Sequence, residues 1–479
     1  MDICSDLRYN LPVMPRPMPD ATSVSSLYRI DRTTLPNGLQ VWAKERPGTG
    51  TIAAVLVVRV GARVEDRATS GLSHFLEHLL FDGTERWDES EIRQVIERIG
   101  GFFNGWTGYE GTGYEVEVEA KHLSTALDWL AEIAFRSTLP PDKVRKERNI
   151  LFQEKGGRLG AILNFFLDLC DRLGIVYNMR REVVRRLFPG SRLEESIIGR
   201  DRSLSRITRQ QLWEHYRRYY IPNNMVLIVV GDVPSAKVFA EAERYFGGFP
   251  AGELPAPPPA SGPPPGRFIN VRVRWPYWID RALVRLGART VGLRDKDRYP
   301  LAVLGWMLAD RLWTELREEK GLVYGVGAYN HEYTDGGYFT VETDFDGAQL
   351  ETIVTSIKRE LDDLKEGRFD DESLARAKEV LRGRTLLSLD SNYELAAMFT
   401  EPALYLGPDE PVPDHFAEIE AVTREDVQRV AQTYFRQENS YQALFRPAFT
   451  LREALIGGGA AVAVAVPLLF WMWRRRRHP

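Results

Sequence analysis

Residues 207–233, ITRQQLWEHYRRYYIPNNMVLIVVGDV, return in altered form at 422–448 as VTREDVQRVAQTYFRQENSYQALFRPA. Thr208 and Thr423, Tyr219 and Tyr434, and Asn224 and Asn439 all match at one offset of 215 residues. In each copy a threonine stands where an N-cap would open a helix, and a strand-like run follows the asparagine. A chain that repeats itself in this way is constrained to build two like units. Between the copies lies AGELPAPPPASGPPPG, residues 251–266, a proline-rich and semi-rigid linker. The apolar runs Ala53–Val60 and Met225–Val230 read as central strands, and helical patterns follow each group of strands. The expected fold class is α+β: two homologous α/β-roll domains in tandem, each a mixed β-sheet with helices packed on one face. The expected divisions are a flexible leader at 1–27, a first unit at 28–250, the linker at 251–266, a second unit at 267–448, an apolar segment at 454–473 and a basic tail at 474–479.

Composition supports a chain with more than one core, since 479 residues are 44% hydrophobic and 27% charged. The net charge of −4 includes four arginines clustered at the very end, so the body is more acidic still and offers no nucleic-acid surface. Cys170 is the sole cysteine outside the leader, which excludes a cysteine-based metal site and makes a disulfide framework improbable.

The chemistry is concentrated in His74-Phe75-Leu76-Glu77-His78. Two histidines four apart sit on one face of a helix, one turn from each other, so both imidazoles reach the same ion. Glu77 projects from the same side and can meet a water beside that ion. This H-x-x-E-H order reverses the commoner H-E-x-x-H zinc signature. A zinc site of this kind needs a third protein ligand and one open position. The downstream helix PPDKVRKERNILFQEKGGRLG offers Glu147 and Glu154, seven apart and on one face, and on chemical grounds either could serve.

The segments SGLSHFLEHLLFDGTERW, IERIGGFFNGWTGYEGTGYEVEV and KERNILFQE together resemble the pitrilysin/insulinase (inverzincin) family of metallopeptidases, and within it the two-domain branch similar to the mitochondrial processing peptidase. The resemblance spans roughly residues 28–448. It implies one Zn2+ per chain held by His74, His78 and Glu154, the last lying 76 residues after the second histidine as the family pattern requires. It implies Glu77 as the catalytic base and Glu147 as a glutamate supporting the site from behind the ligands. Asn104, in Phe103-Asn104-Gly105-Trp106-Thr107, matches the family's edge-strand asparagine that contacts the substrate backbone; the family more often has alanine where Gly105 stands. A peptide would add there as an extra strand.

The second half lacks H-x-x-E-H, but DRLWTELREEKGLVYGVGAYNHEYTDGGYF resembles the family's non-metal half, with Arg317 and Tyr324 matching its substrate-binding, oxyanion-stabilising pair. Whether that pair serves its own chain or a partner's stays open. By resemblance the chain is a metalloendopeptidase that hydrolyses peptides or unfolded protein segments, paired with a second, identical or related chain around a chamber. The alternatives are a non-catalytic assembly subunit like the core subunits of the respiratory cytochrome bc complex, or an enzyme active only beside an inactive partner.

Ala454–Trp473 is a 20-residue stretch without charge, followed by Arg474–Arg477. That length crosses a bilayer, with Trp471 and Trp473 at an interface. The expectation is a single-pass C-terminal transmembrane anchor in a membrane, the bacterial inner membrane, with a cleaved sorting tail or a surface-lying segment as the alternatives and the side of the catalytic unit left open because the leader has no signal-peptide core.

Overall fold

The computed structural model describes residues 26–447, apart from 174, 177, 255, 258–260, 263 and 276–280. Two sheets organise it. The first contains β1 (Asp31–Thr34), β2 (Gln40–Glu45), β3 (Thr51–Val58), β4 (Phe102–Thr107), β5 (Thr112–Glu119) and β6 (Met225–Gly231), in the order β1-β2-β6-β3-β5-β4. The second contains β7 (Ile269–Trp275), β8 (Arg281–Thr290), β9 (Val323–Tyr333), β10 (Gly336–Asp346) and β11 (Ser440–Pro447), in the order β7-β11-β8-β10-β9. Apart from β1, the two orders superpose strand for strand. Each sheet has a single parallel pair, β2 with β6 and β7 with β11, and antiparallel neighbours elsewhere.

The repeated threonines and asparagines do the same work in each unit. Thr208 caps its helix by accepting from Gln211 N–H, and Thr423 does so from Asp426 N–H. Asn224 donates to the carbonyl of Tyr219 at 3.0 Å, and Asn439 to that of Tyr434 at 2.7 Å. Each asparagine thereby ties the end of a helix to the start of the strand that follows.

Strand β3 shows how the first core forms. Ile52, Ala54, Leu56 and Val58 face one side and pack with α1 (Leu72–Leu79), α2 (Glu89–Glu97), α3 (Leu123–Phe135) and α4 (Pro141–Glu154). Ala53, Val55 and Val57 face the other side, so a strand buried on both faces reads as an unbroken apolar run. Next in the chain come α5 (Gly157–Arg172), α6 (Met179–Leu187) and α7 (Arg209–Tyr219).

The expectation of helices on one face only needs correction. The outer face of the first sheet is covered by the second half's α8 (Asn392–Met398) and α9 (Thr400–Tyr405), through Leu395, Ala396, Phe399 and Ala403. The first half returns the cover: Val183, Val184 and Leu187 of α6 pack on Val271, Val273 and Ala443 of the second sheet. Two arginines secure the exchange. Arg59 donates to the carbonyls of Ala403 and Leu406, and Arg289 donates to that of Leu187, each binding the C-terminal end of the helix lent by the other half.

Buried Arg63 adds a polar bolt between the halves. It bridges Glu110 at 2.5 Å and Asp335 at 2.7 Å, and reaches Ser261 of the linker at 3.3 Å.

The expected membrane location is also corrected. Among the described residues no helix is long and apolar enough to cross a membrane. The segment 454–473, on which that expectation rested, lies outside the described residues.

Candidate metal centre

Helix α1 is short, and its start is fixed by two devices. Gly71 at the N-cap adopts φ 92°, a backbone conformation that favours glycine. The buried Glu65 carboxylate then accepts the N–H groups of Gly71 and Ser73, both at 2.7 Å, satisfying donors that a helix start leaves unpaired. Leu72, Phe75, Leu76 and Leu79 form the apolar stripe that anchors the helix in the core. His215 of α7 lies buried beneath it, its Nε2 3.3 Å from Ser73 Oγ.

That anchoring turns His74, Glu77 and His78 into a cleft of about 1130 Å3. Helix α4 supplies the opposite wall. Pro141 in its first turn suits a position whose N–H has no intrahelical partner, and Val144 and Leu151 bury one side. Glu147 and Glu154 point to the cleft from positions two turns apart, with different exposure: the Glu147 side chain is 6% accessible and that of Glu154 46%.

Ligand-type atoms of His74, His78 and Glu154 lie within 4.8 Å of one another. His74 Nε2 is 3.9 Å from Glu154 Oε1, and His78 Nε2 is 3.9 Å from Glu154 Oε2. Two imidazoles and a carboxylate are a donor set suited to zinc, which in tetrahedral sites would draw such atoms to ~3.3 Å of each other. Burial and the neighbouring His78 take the His74 ring down to about 4, which keeps it neutral and able to donate a lone pair.

Glu77 stands beside this trio, its Oε2 4.0 Å from His74 Nε2. Thr107 at the end of β4 donates to the same oxygen at 2.8 Å. Burial raises the Glu77 carboxyl, the direction required of a group that must take up a proton. Gly105 makes room: a Cβ there would stand 2.7 Å from Glu77 Oε1. Asn104 also lines the cleft, on the outermost strand of the sheet.

Arg317 and Tyr324 are brought to each other but not to this cleft. The Arg317 guanidinium lies 5.2 Å from the Tyr324 ring centre and donates to the carbonyl of Val323. Tyr324 is 72% exposed on β9, and no described residue beyond Ile198 lines the metal cleft. Sequence reasoning missed Thr107, Glu65 and His215. Thr107 and His215 act through contacts with α1 from distant parts of the chain, while Glu65 reaches back only six to eight residues, a spacing that matches no standard capping pattern.

Two sequence families match the chain: "Insulinase (Peptidase family M16)" over residues 40–156 and "Peptidase M16 inactive domain" over residues 206–381. A zinc protease of Rickettsia felis is 30% identical over 382 residues, covering 78% of this chain and 89% of the relative. The zinc protease YmxG of Bacillus subtilis is 28% identical, covering 85% and 96% respectively. The mitochondrial-processing peptidase subunit beta of Saccharomyces cerevisiae is 26% identical, covering 85% and 89%. Among solved structures, a protease from Helicobacter pylori shares the fold with a TM-score of 0.76 at 23% identity, covering 88% of this chain and all of that one. With H-x-x-E-H in its first unit and a second unit of the same topology without it, the chain belongs to the insulinase family of peptidases, family M16.

Proposed function

We propose that the protein is a zinc-dependent endopeptidase acting on peptides or extended protein segments. His74, His78 and Glu154 hold the metal in this reading, Glu147 supports His78, and Glu77 is the general base. The observation that carries it is the convergence of three donor atoms at the wall of an open cleft with a buried carboxylate alongside. The names of the relatives, zinc proteases over nearly their whole lengths, agree with it. When bound, zinc supplies Lewis acidity to the scissile carbonyl and the attacking water. Glu77 takes the proton of that water and returns it to the leaving amine. Thr107 holds the carboxylate in place during both transfers.

The substrate enters as a strand beside β4, whose outer edge is unpaired in the sheet, and Asn104 contacts its backbone. Main-chain pairing gives affinity without strict sequence demand. Because Arg317 and Tyr324 stand apart from the cleft and Tyr324 is exposed, we assign their substrate-binding role to a second, identical or related chain's cleft. The unit at 28–250 is then the catalytic one, and that at 267–448 the non-metal one.

The test is hydrolysis of a mixed quenched-peptide library by the full chain, run beside Glu77→Gln with zinc content measured on both. Cleavage by the wild type, lost in a variant that keeps its zinc, is the expected result. Equal turnover by both would refute the assignment of Glu77, and absence of zinc from the wild type that of the ligands.

A further inference from the structure

On the face of the first sheet turned away from the metal cleft lies a smaller cavity of about 290 Å3. Val55, Trp106 and Glu115 line it from the sheet, and Tyr393, Ala397 and Thr400 from the second half's α8 and α9. Strand alternation explains its place. Glu115 pairs with Val55 on one side and with Asn104 on the other, so these three share the outer face while Phe103 and Tyr114 face the helices.

Glu115 is only 3% exposed. Asn104 and Tyr393 act on its carboxylate as hydrogen-bond donors, yet its buried Oε2 has no hydrogen-bond partner. No described cationic side chain is among the groups acting on it. A buried carboxylate oxygen without donor or counter-charge is costly, and here open space lies beside it. Trp106 and Tyr393 form walls of the kind that hold the stem and charge of a long cationic side chain.

The cavity is also in register with an added strand. Alternate side chains of a peptide paired to β4 would fall on the outer face, next to Asn104 and Trp106. Glu115 lies two strand spacings from such a residue, about 9.5 Å, a span for a side chain of three or four methylenes and not for a short one. Resting on the peptidase reading above, we propose that this cavity is a subsite for a lysine or arginine side chain of the substrate strand, with Glu115 as its counter-charge. Three of its walls belong to the second half, so the non-metal half takes part in choosing the substrate.

The test is binding to the full-length, zinc-loaded Glu77→Gln protein, read by fluorescence anisotropy. The probes are short fluorescein-labelled peptides in which a single arginine is moved along a neutral sequence, each matched with a norleucine counterpart. At one position the arginine peptide should bind about tenfold more tightly than its counterpart. That gain should vanish when Glu115→Gln is added. It should vanish also with Ala397→Arg, which leaves Glu115 in place and supplies a guanidinium from the chain itself. Equal affinities at every position, failure of all the peptides to bind, or a preference that persists in Glu115→Gln would overturn the proposal. No turnover is read, so a wild type that binds with this preference yet hydrolyses nothing would count against the peptidase reading alone.

Discussion

His78 donates from Nδ1 to the buried Oε2 of Glu147 at 3.2 Å, which leaves Nε2 as the nitrogen turned toward Glu154. Burial opposes a charged ring here, but the Glu147 bond and the charges of Glu77, Glu147 and Glu154 outweigh it and move His78 upward. In the site proposed above, Glu147 orients one ligand and strengthens its basicity without being a ligand itself. Glu147→Gln should fold normally and bind zinc about 10–100-fold more weakly, measured by competition with a chromogenic chelator. Glu154→Gln should lose the metal outright. Reversed outcomes for the two glutamates would exchange their assigned roles.

In the same proposed site, Thr107 bears on the reaction through Glu77. A hydrogen bond to a carboxylate contributes about 1.5–3 kcal/mol, and here its main effect is to fix the base. Thr107→Val should lower kcat about tenfold while leaving KM and zinc content near the wild-type values. A change confined to KM would place Thr107 in substrate binding instead.

His215 gives the fold an acid limit. Burial takes its ring down to about 3, with the charge of Arg218 pushing the same way. An imidazole in the unfolded chain titrates near 6.5, so between those values the unfolded chain holds a proton that the native one refuses. The stability gained from this is fully present above pH ~6.5 and is lost as the pH falls toward 3. In His215→Gln the urea midpoint of metal-free protein should fall less steeply on acidification. A profile parallel to wild type would remove His215 from the account.

Arg63 tests the joint between the halves. Its side chain is 1% accessible, and its partner Glu110 is 8% accessible. Removing Arg63 leaves Glu110 buried without its counter-charge, although Thr334 still donates to it from its N–H and hydroxyl; breaking a buried pair in this way costs about 3–5 kcal/mol. Arg63→Met should destabilise the chain by that amount, read as a shift in denaturant midpoint. Arg63→Met with Glu110→Gln should recover part of it; a double variant as unstable as the sum of the singles would show that the pair does not interact.

What was legible in the sequence were features whose meaning is local or periodic. The repeat announced itself because Thr208 and Thr423 cap helices, and Asn224 and Asn439 tie helix ends, by contacts within a few residues. The histidines of α1 share a face because helical geometry alone puts them there. Choosing Glu154 over Glu147 needed the family's spacing, since both lie on one face, and the structure separates them by exposure. Thr107, Arg63 and the cavity beside Glu115 were illegible for one shared reason. Their partners are brought near by the meeting of sheets and helices, and no spacing rule along the chain encodes that meeting. The expectation of one-sided sheets failed likewise, because a strand such as β3 records that both its faces are buried but not whose helix covers each.

The exchange of covering helices has a consequence for synthesis. The last strand of the first sheet is finished at Gly231, but the helices that shield its outer face are Asn392–Met398 and Thr400–Tyr405. While the intervening chain emerges from the ribosome, Trp42, Val55, Val57 and Ile228 have no cover on that side. Arg59 waits as long for the carbonyls of Ala403 and Leu406. The nascent protein therefore passes through a period in which the first unit can form its own core yet keeps an adhesive outer face. Each unit's outer face is completed only by the other, so the second half serves the first as its internal chaperone.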